Sequence, residues 1–338
     1  GDRLAANVAG LAFAFNGLTL SCLKWPNNIA ALAWMPFVVW LAERGWRTGG
    51  RPMIWAALAG AMQMLTGGPE IILFTWLLTG AVWLAALFSW RGAESAGTRS
   101  EPQPQTPSAD AFSDETRAGR RLTGLRLLCI VGLVAGLSAA QMLPFLDLLS
   151  HSQRDAAYGD SSWSMPRWGW ANFVVPLFRG FPSHQGVFAQ HGQYWVSSYY
   201  AGIGVLALAG LALWRTRQKK IWLLGIAAAT SLVLALGEAG HLYGWLKTIF
   251  PAIQIVRFPI KFVVAASFAI PLLAACGISR LRTDGRTLQA VAKKGGEREA
   301  AGGAATNNLV SPLSPVLPVN RPSPACEAGA TSAWRRPV

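Results

Sequence analysis

Charge is what this chain has least of. Asp, Glu, Lys and Arg make up 14% of its 338 residues, against about a quarter in an ordinary soluble domain. Acidic residues are the scarcer half, 16 against 30 Lys and Arg, which leaves a net charge of +14. Cysteine is nearly absent too. Cys22, Cys129 and Cys276 sit inside apolar runs and Cys326 in the C-terminal tail. None has zinc-site spacing or belongs to a paired disulfide framework, so they read as small apolar fillers. His151, His184, His191 and His241 show no metal spacing either, and no metal site is expected. The opening residues lack the charged, apolar and cleavage-site regions of a secretory signal. With Gly1 in first place, the expectation is an N-terminally truncated fragment of something longer.

What remains is hydrophobic, 52% of the residues with 16 tryptophans. The apolar stretches alternate with connections that are rich and poor in arginine. Arg44, Arg47 and Arg51 follow one run, and Arg91, Arg99, Arg117, Arg120 and Arg121 another. Arg215, Arg217, Lys219 and Lys220 follow a third, and Arg280, Arg282 and Arg286 the last. Every second connection is basic, as the positive-inside rule requires of a chain threaded through a membrane. The positive charge is therefore a topology signal facing anionic headgroups, and nucleic acid is not an expected partner.

The fold class expected is all-α, a polytopic transmembrane helical bundle of about eight spans over residues 1–281. The candidate spans are Leu4–Leu23, Asn28–Leu41, Met53–Thr66, Ile71–Trp90, Leu122–Leu149, Tyr199–Trp214, Ile221–Gly237 and Phe258–Leu281. A crossing helix needs about 20 residues, so the second and third are short, tilted or partial crossings. The parity of the basic connections makes the chain multi-pass with both of its ends in the cytoplasm. Residues 91–121, rich in Ser, Pro, Glu and Arg, read as a disordered cytoplasmic loop, and 282–338 as a disordered tail. Residues 150–198 carry Trp163, Trp168, Trp170, Tyr194 and Trp195 among glycines and prolines. That is an ordered, aromatic-rich extracytoplasmic loop lying at the membrane interface.

The unusual polar residues fall on the outer side of this topology. Glu70 closes the turn Gly67-Gly68-Pro69, Gln63 lies two helical turns below it, and Gln141 and Asp147 mark the fifth span. Arg154 follows that span, Glu238 and His241 follow the seventh, and Arg257 and Lys261 bracket Pro259 at the start of the eighth. Ionisable groups at membrane depth are expensive and gather at cavities or bundle interiors. Each also has a plainer reading. Glu70 caps a helix, Asp147 pairs with Arg154, and Gln63 and Gln141 are hydrogen-bonding glue between helices. The segment Arg257-Phe258-Pro259-Ile260-Lys261 puts two cations one turn apart beside free N–H groups at a helix start. That combination is an anion cradle suited to a phosphate, unless the cations neutralise Glu238 or lipid headgroups.

An ordered set of motifs runs through the chain. Ala33-Trp34-Met35-Pro36 comes first, then Gly67-Gly68-Pro69-Glu70, Gln141-Met142-Leu143-Pro144 with Asp147, and Ser152 with Arg154. Tyr199-Tyr200-Ala201-Gly202-Ile203-Gly204 and Arg257-Phe258-Pro259-Ile260-Lys261 close the series. This order resembles the bacterial YfhO-like membrane protein family between about Asn7 and Leu281. That family is similar to the GT-C class of membrane glycosyltransferases. The resemblance implies transfer of a sugar from a polyprenyl-phosphate donor to a cell-envelope polymer or lipid acceptor on the outer face. No tightly bound cofactor is implied, and a divalent cation is left open. The partners implied are the lipid bilayer, the lipid-linked sugar and the acceptor, and the location implied is the bacterial cytoplasmic (inner) membrane.

In that class the usual catalytic acid lies on the first extracytoplasmic loop, which this chain is expected to lack, so the catalytic residue is unknown. Glu70 and Asp147 are the assisting candidates. Arg154, Glu238, Arg257, Lys261, Gln141 and Trp195 are the substrate-binding candidates. Trp163, Trp168 and Trp195 offer aromatic faces to sugar rings or to the membrane interface. The alternatives are a transporter or flippase of a lipid-linked substrate and a non-catalytic membrane scaffold.

Overall fold

A computed structural model describes residues 2–97, 109–151, 163–184, 186–216, 218–250, 256 and 258–307. The chain divides into two compact units, Gly1–Asp284 and Gly285–Val338. The first is built from helices α1 (Arg3–Ala14), α2 (Gly17–Ser21), α3 (Pro26–Thr48), α4 (Arg51–Met64), α5 (Pro69–Gly97) and α6 (Ala109–His151). It continues with α7 (Ile203–Arg215), α8 (Lys219–Ala235), α9 (Leu242–Ile249) and the first half of α10 (Val263–Asn307). Between α6 and α7 the two-residue strands β1 (Phe181–Pro182) and β2 (Phe188–Ala189) pair antiparallel, with Phe181 opposite Ala189. In the second unit the described residues continue α10.

Four segments are helical, long and apolar enough to cross a membrane: Arg3–Lys24, Pro69–Leu87, Gly119–Leu148 and Pro259–Gly285. The last is the heart of the bundle, with 67% of its apolar window buried against 17% for α6. Val263, Val264, Ala266 and Ala274 of α10 are fully enclosed by residues such as Leu18, Met35 and Ile71 from other helices. A smaller cluster of Ala56, Ala57, Ile130 and Val134 joins α4 to α6. Alanine and glycine at that seam allow close approach, and a Cβ at Gly60 would lie 2.6 Å from Val134 Cγ2. The outward faces are apolar as well. Leu125, Leu128, Leu133, Leu137 and Leu143 of α6 are all exposed, a far larger apolar surface than soluble monomers show.

Several elements differ from the sequence expectation, each for a local reason. The first run is a broken helix. The Asn16 side chain accepts from Thr19 N–H and donates to Phe13 O, so it caps α2 and ends α1, as short polar side chains do when they compete with the backbone. The second run is not short, because α3 continues for 23 residues through Ala42-Glu43-Arg44, residues of good helix propensity.

The connection 91–121 is helical at both ends, where α5 runs on to Gly97 and α6 begins at Ala109. Residues 98–108 lie outside the described residues. The tail expected to be disordered from Thr283 is helical to Asn307. Ala, Lys, Arg, Glu and Gln are 13 of the 25 residues 283–307 and favour helix.

Polar contacts join several of the helix ends. The Arg282 guanidinium meets Asp2 at 2.6 Å, and Arg215 lies 3.7 Å from Asp284. Arg126 donates to the carbonyl oxygen of Arg47 at 3.0 Å. At the other ends, Asn27 donates to Gly67 O and Lys24 to Tyr194 O. Each of the first three contacts thus involves a basic connection, and each of the last two an arginine-poor one.

Candidate functional site

The arginine-poor ends converge on Lys261. Pro259 opens a 3-10 turn, Pro259–Phe262, that leads into α10. Proline is pre-organised for that position. The Lys261 ammonium reaches Glu70 in the first turn of α5 at 2.5 Å, with both side chains mostly buried. It also lies 5.7 Å from the Trp195 ring and 5.4 Å from the Phe258 ring, within cation–π range. Trp163 stacks on Phe258 with centroids 4.5 Å apart, and Ile260 N–H donates to Trp163 O. Glu70 thus has a defined role beyond capping, as the counter-ion of a buried lysine.

Beneath Trp195 lies a buried polar lattice. Gln193 donates to Val196 O at 2.6 Å and to Gln190 Oε1, and accepts from Val196 N–H. The Tyr199 hydroxyl also donates to Gln190 Oε1. Asn172 Oδ1 accepts from the Ser198 hydroxyl at 2.8 Å. Ser21 on α2 both donates to Ser198 O and accepts from Ser198 N–H. The Ser21–Ser198 pair ties the segment 190–200 to the first helix pair.

Above that platform opens a cavity of about 550 Å³. Lys24, Trp25, Trp163, His184, Phe188 and Tyr194 line it, with Ser183 and Val187 from the hairpin loop and Ala189 from β2. Lys24 holds Tyr194 O at 2.9 Å, and the Trp25 indole donates to Trp195 O at 2.9 Å. The Lys24 ammonium lies 5.9 Å from the Trp25 ring. Its side chain is exposed, and an ammonium carries three donors, so two remain for a ligand. His184 contributes an imidazole to the cavity's lining.

The other expected site residues are dispersed. Glu238 is exposed in the turn Gly237–Gly240 and lines a second cavity of about 310 Å³ with Ser164, Arg167 and His191. Near it, Tyr243 is fully enclosed, and burial, followed by the Glu238 charge, pushes its phenol above the usual tyrosine range. Asp147 is exposed at the end of α6, where it lies 3.5 Å from the His151 ring. Gln141 is exposed on the same helix. Arg154 and Arg257 lie outside the described residues.

Trp195 is 2% exposed, so its faces serve Lys261 and the core. An open ring for a ligand belongs to Trp25 or Tyr194 instead. Lys261 is not a free cation of an anion cradle, since Glu70 already neutralises it. Gln63 is fully buried and donates to Ala31 O and to the Thr75 hydroxyl, as interhelical glue does. Trp168 meets Phe178 edge-on and Arg179 face-on.

Sequence reasoning missed Lys24 and Trp25, although a cation and an indole at the arginine-poor end of an apolar run were a usable signal. It also missed Asn172, Gln190 and Gln193, which carry no local signal because their partners are set by the folded loop. Among the described residues, no group of three or more His, Cys, Asp or Glu could hold a metal ion. No family model, curated protein or solved structure matches the chain.

Proposed function

We propose that this chain belongs to a membrane glycosyltransferase of the GT-C type that handles a polyprenyl-phosphate sugar on the outer face of the bacterial cytoplasmic membrane. The observation that carries the reading is the cavity of about 550 Å³, walled by Trp25, Trp163 and Tyr194, with Lys24 on its rim. Aromatic faces stack on the apolar faces of sugar rings, and an exposed ammonium beside them complements a phosphate. In this proposal the chain makes eight crossings with both ends cytoplasmic. The arginine-poor ends and the cavity then face outward. The helices that coincide with the eight apolar runs, and the grouping of the basic ends, support that threading.

Chemically, transfer requires a base for the acceptor hydroxyl and a cation for the departing phosphate. Lys24 supplies the cation. Glu70 is committed to Lys261 and Asp147 stands apart on α6, so neither meets the need for a base at the cavity. In this proposal the His184 imidazole, which lines the cavity, takes that proton. The acceptor in this reading is a cell-envelope polymer or lipid.

The test uses the full chain in nanodiscs with a radiolabelled polyprenyl-phosphate sugar. Retention of label, weakened at least tenfold in both Lys24→Ala and Tyr194→Ala, and its transfer to acceptor polymer, support the reading. In proteoliposomes, label that crosses the bilayer chemically unchanged makes the chain a transporter and ends the glycosyltransferase proposal.

A further inference from the structure

The second cavity, of about 310 Å³, is built from three separate stretches of chain. Residues 164–167, His191 with Gly192, and Leu236 with Glu238 and Ala239 line it. Its walls are fixed by the backbone. Met165 N–H donates to Ala235 O at 2.7 Å, at the end of α8, and Ile260 N–H to Trp163 O at 3.0 Å. Gly237 has φ +60° and lies too close to the Ser164 side chain to accept a Cβ. Beside His191, the buried Gln193 is bonded to Gln190 and Val196. Arg167, His191 and Glu238 thus each stand within two residues of an anchored position.

The charges in this cavity serve no contact within the fold. Arg167 and Glu238 are both exposed. Among the described residues, neither side chain has an ion-pair or hydrogen-bond partner, and the two do not pair with each other. The His191 ring rests against Phe181, with centroids 4.7 Å apart. Met165, Pro166 and Leu236 supply an apolar lining between the charged groups.

The pairing of signs decides the class of ligand. An anion seated on Arg167 brings its charge toward Glu238, and a cation seated on Glu238 brings its charge toward Arg167. A ligand of one sign is therefore opposed by half of the site, whereas a ligand carrying both signs is met twice. The guanidinium fork suits a carboxylate or a phosphate, and the carboxylate accepts from an ammonium. The volume stands at the lower end for ligand pockets, which suits a molecule of few heavy atoms.

We infer that this second cavity binds a small zwitterion, its anionic group on Arg167 and its ammonium on Glu238. A free amino acid and the headgroup of an ethanolamine phospholipid share that chemistry. The site is separate from the aromatic cavity, and it stands whether or not that cavity takes a sugar.

The test uses the full chain in phosphatidylglycerol nanodiscs, which hold no zwitterionic lipid, with radiolabelled alanine or glycerophosphoethanolamine as the probe. Retention of a probe is expected, weakened about tenfold or more in Arg167→Gln and in Glu238→Gln, the loss of one charged hydrogen bond. Both side chains are exposed, so unfolding midpoints of the variants should match the parent. On the unaltered chain, N-acetylalanine lacks the cation and alaninamide the anion, and each should compete about tenfold less well than alanine. Glycerol phosphate and ethanolamine are the matching competitors for glycerophosphoethanolamine. Glu238→Gln should abolish the preference over the analogues that lack the cation, and Arg167→Gln the preference over those that lack the anion.

Phosphatidylethanolamine added to the disc separates the two sources. Displacement of the probe assigns the site to the lipid headgroup, and alanine retained in its presence assigns it to a free amino acid. Both results support the inference. It is overturned if neither probe is retained, if the one-charge analogues compete as well as the zwitterions, or if both variants keep the parent's preferences.

Discussion

Removing Glu70 tests the centre of the structure most directly. Its carboxylate and the Lys261 ammonium are 2.5 Å apart, with side-chain exposures of 14% and 10%, so the pair is sheltered from the solvent screening that weakens surface ion pairs. Deleting one member of such a pair leaves an uncompensated buried charge and costs about 3–5 kcal/mol. The cation–π contacts of Lys261 with Trp195 and Phe258 survive in Glu70→Ala and hold back about 1 kcal/mol of that loss. Glu70→Ala is therefore expected to destabilise by about 3 kcal/mol. Lys261→Met, which also gives up those ring contacts, should cost about 4 kcal/mol.

The double variant Glu70→Leu, Lys261→Met should recover most of this, because an apolar pair of similar volume commonly matches a buried ion pair. Equilibrium unfolding in mixed micelles, read by tryptophan fluorescence, compares the parent, Glu70→Leu, Lys261→Met and the double variant, the four corners of the cycle. A coupling energy below about 1 kcal/mol, with the single losses adding in the double variant, would refute the reasoning.

Other sites give independent tests by thermal unfolding in detergent. Gly237 has φ +60°, and a Cβ there would collide with the Ser164 side chain, so Gly237→Ala should cost about 1–3 kcal/mol. Gln63→Leu removes two interhelical hydrogen bonds at a fully buried site and should cost about 1–2 kcal/mol. Asp147→Asn alters an exposed contact with His151 and should leave stability within about 0.5 kcal/mol of the parent.

Tyr243 supplies a pH test. Its folded pKa is raised, so the folded chain holds a proton that the unfolded chain releases at about pH 10. Stability from this group is intact below that value and falls as pH rises beyond it. Tyr243→Phe should lose less stability than the parent between pH 9 and 11, and equal slopes would refute the burial argument.

How far the residues announced themselves depended on the distance to their partners. Apolar runs and arginine spacing are local patterns, and helices stand over each run. Gln63 was readable because a buried amide in an apolar helix needs a neighbour, and Ala31 and Thr75 are that neighbour. Glu70 and Lys261 were both conspicuous, yet nothing in the sequence joined them. They are 191 residues apart, and Glu238 was an equally good counter-charge on paper. Gln141 and Asp147 drew attention as polar residues near helix ends, but α6 exposes both. The aromatic cavity was the least legible. It depends on the Gln190–Gln193 lattice and on where the hairpin lays Phe188, and both are products of tertiary folding.

The Lys261–Glu70 contact also constrains the order in which the molecule is made. A chain emerging N-terminus first presents Glu70 long before its counter-ion exists, and Asp2 waits through 280 residues for Arg282. Until the last apolar segment arrives, one end of α5 carries an unmatched carboxylate and the enclosed faces of Leu18, Met35 and Ile71 lack the α10 surface that covers them. Maturation is then gated by the final segment. A nascent chain halted before Pro259 should remain protease-sensitive and chaperone-bound, and one released after Asp284 should close.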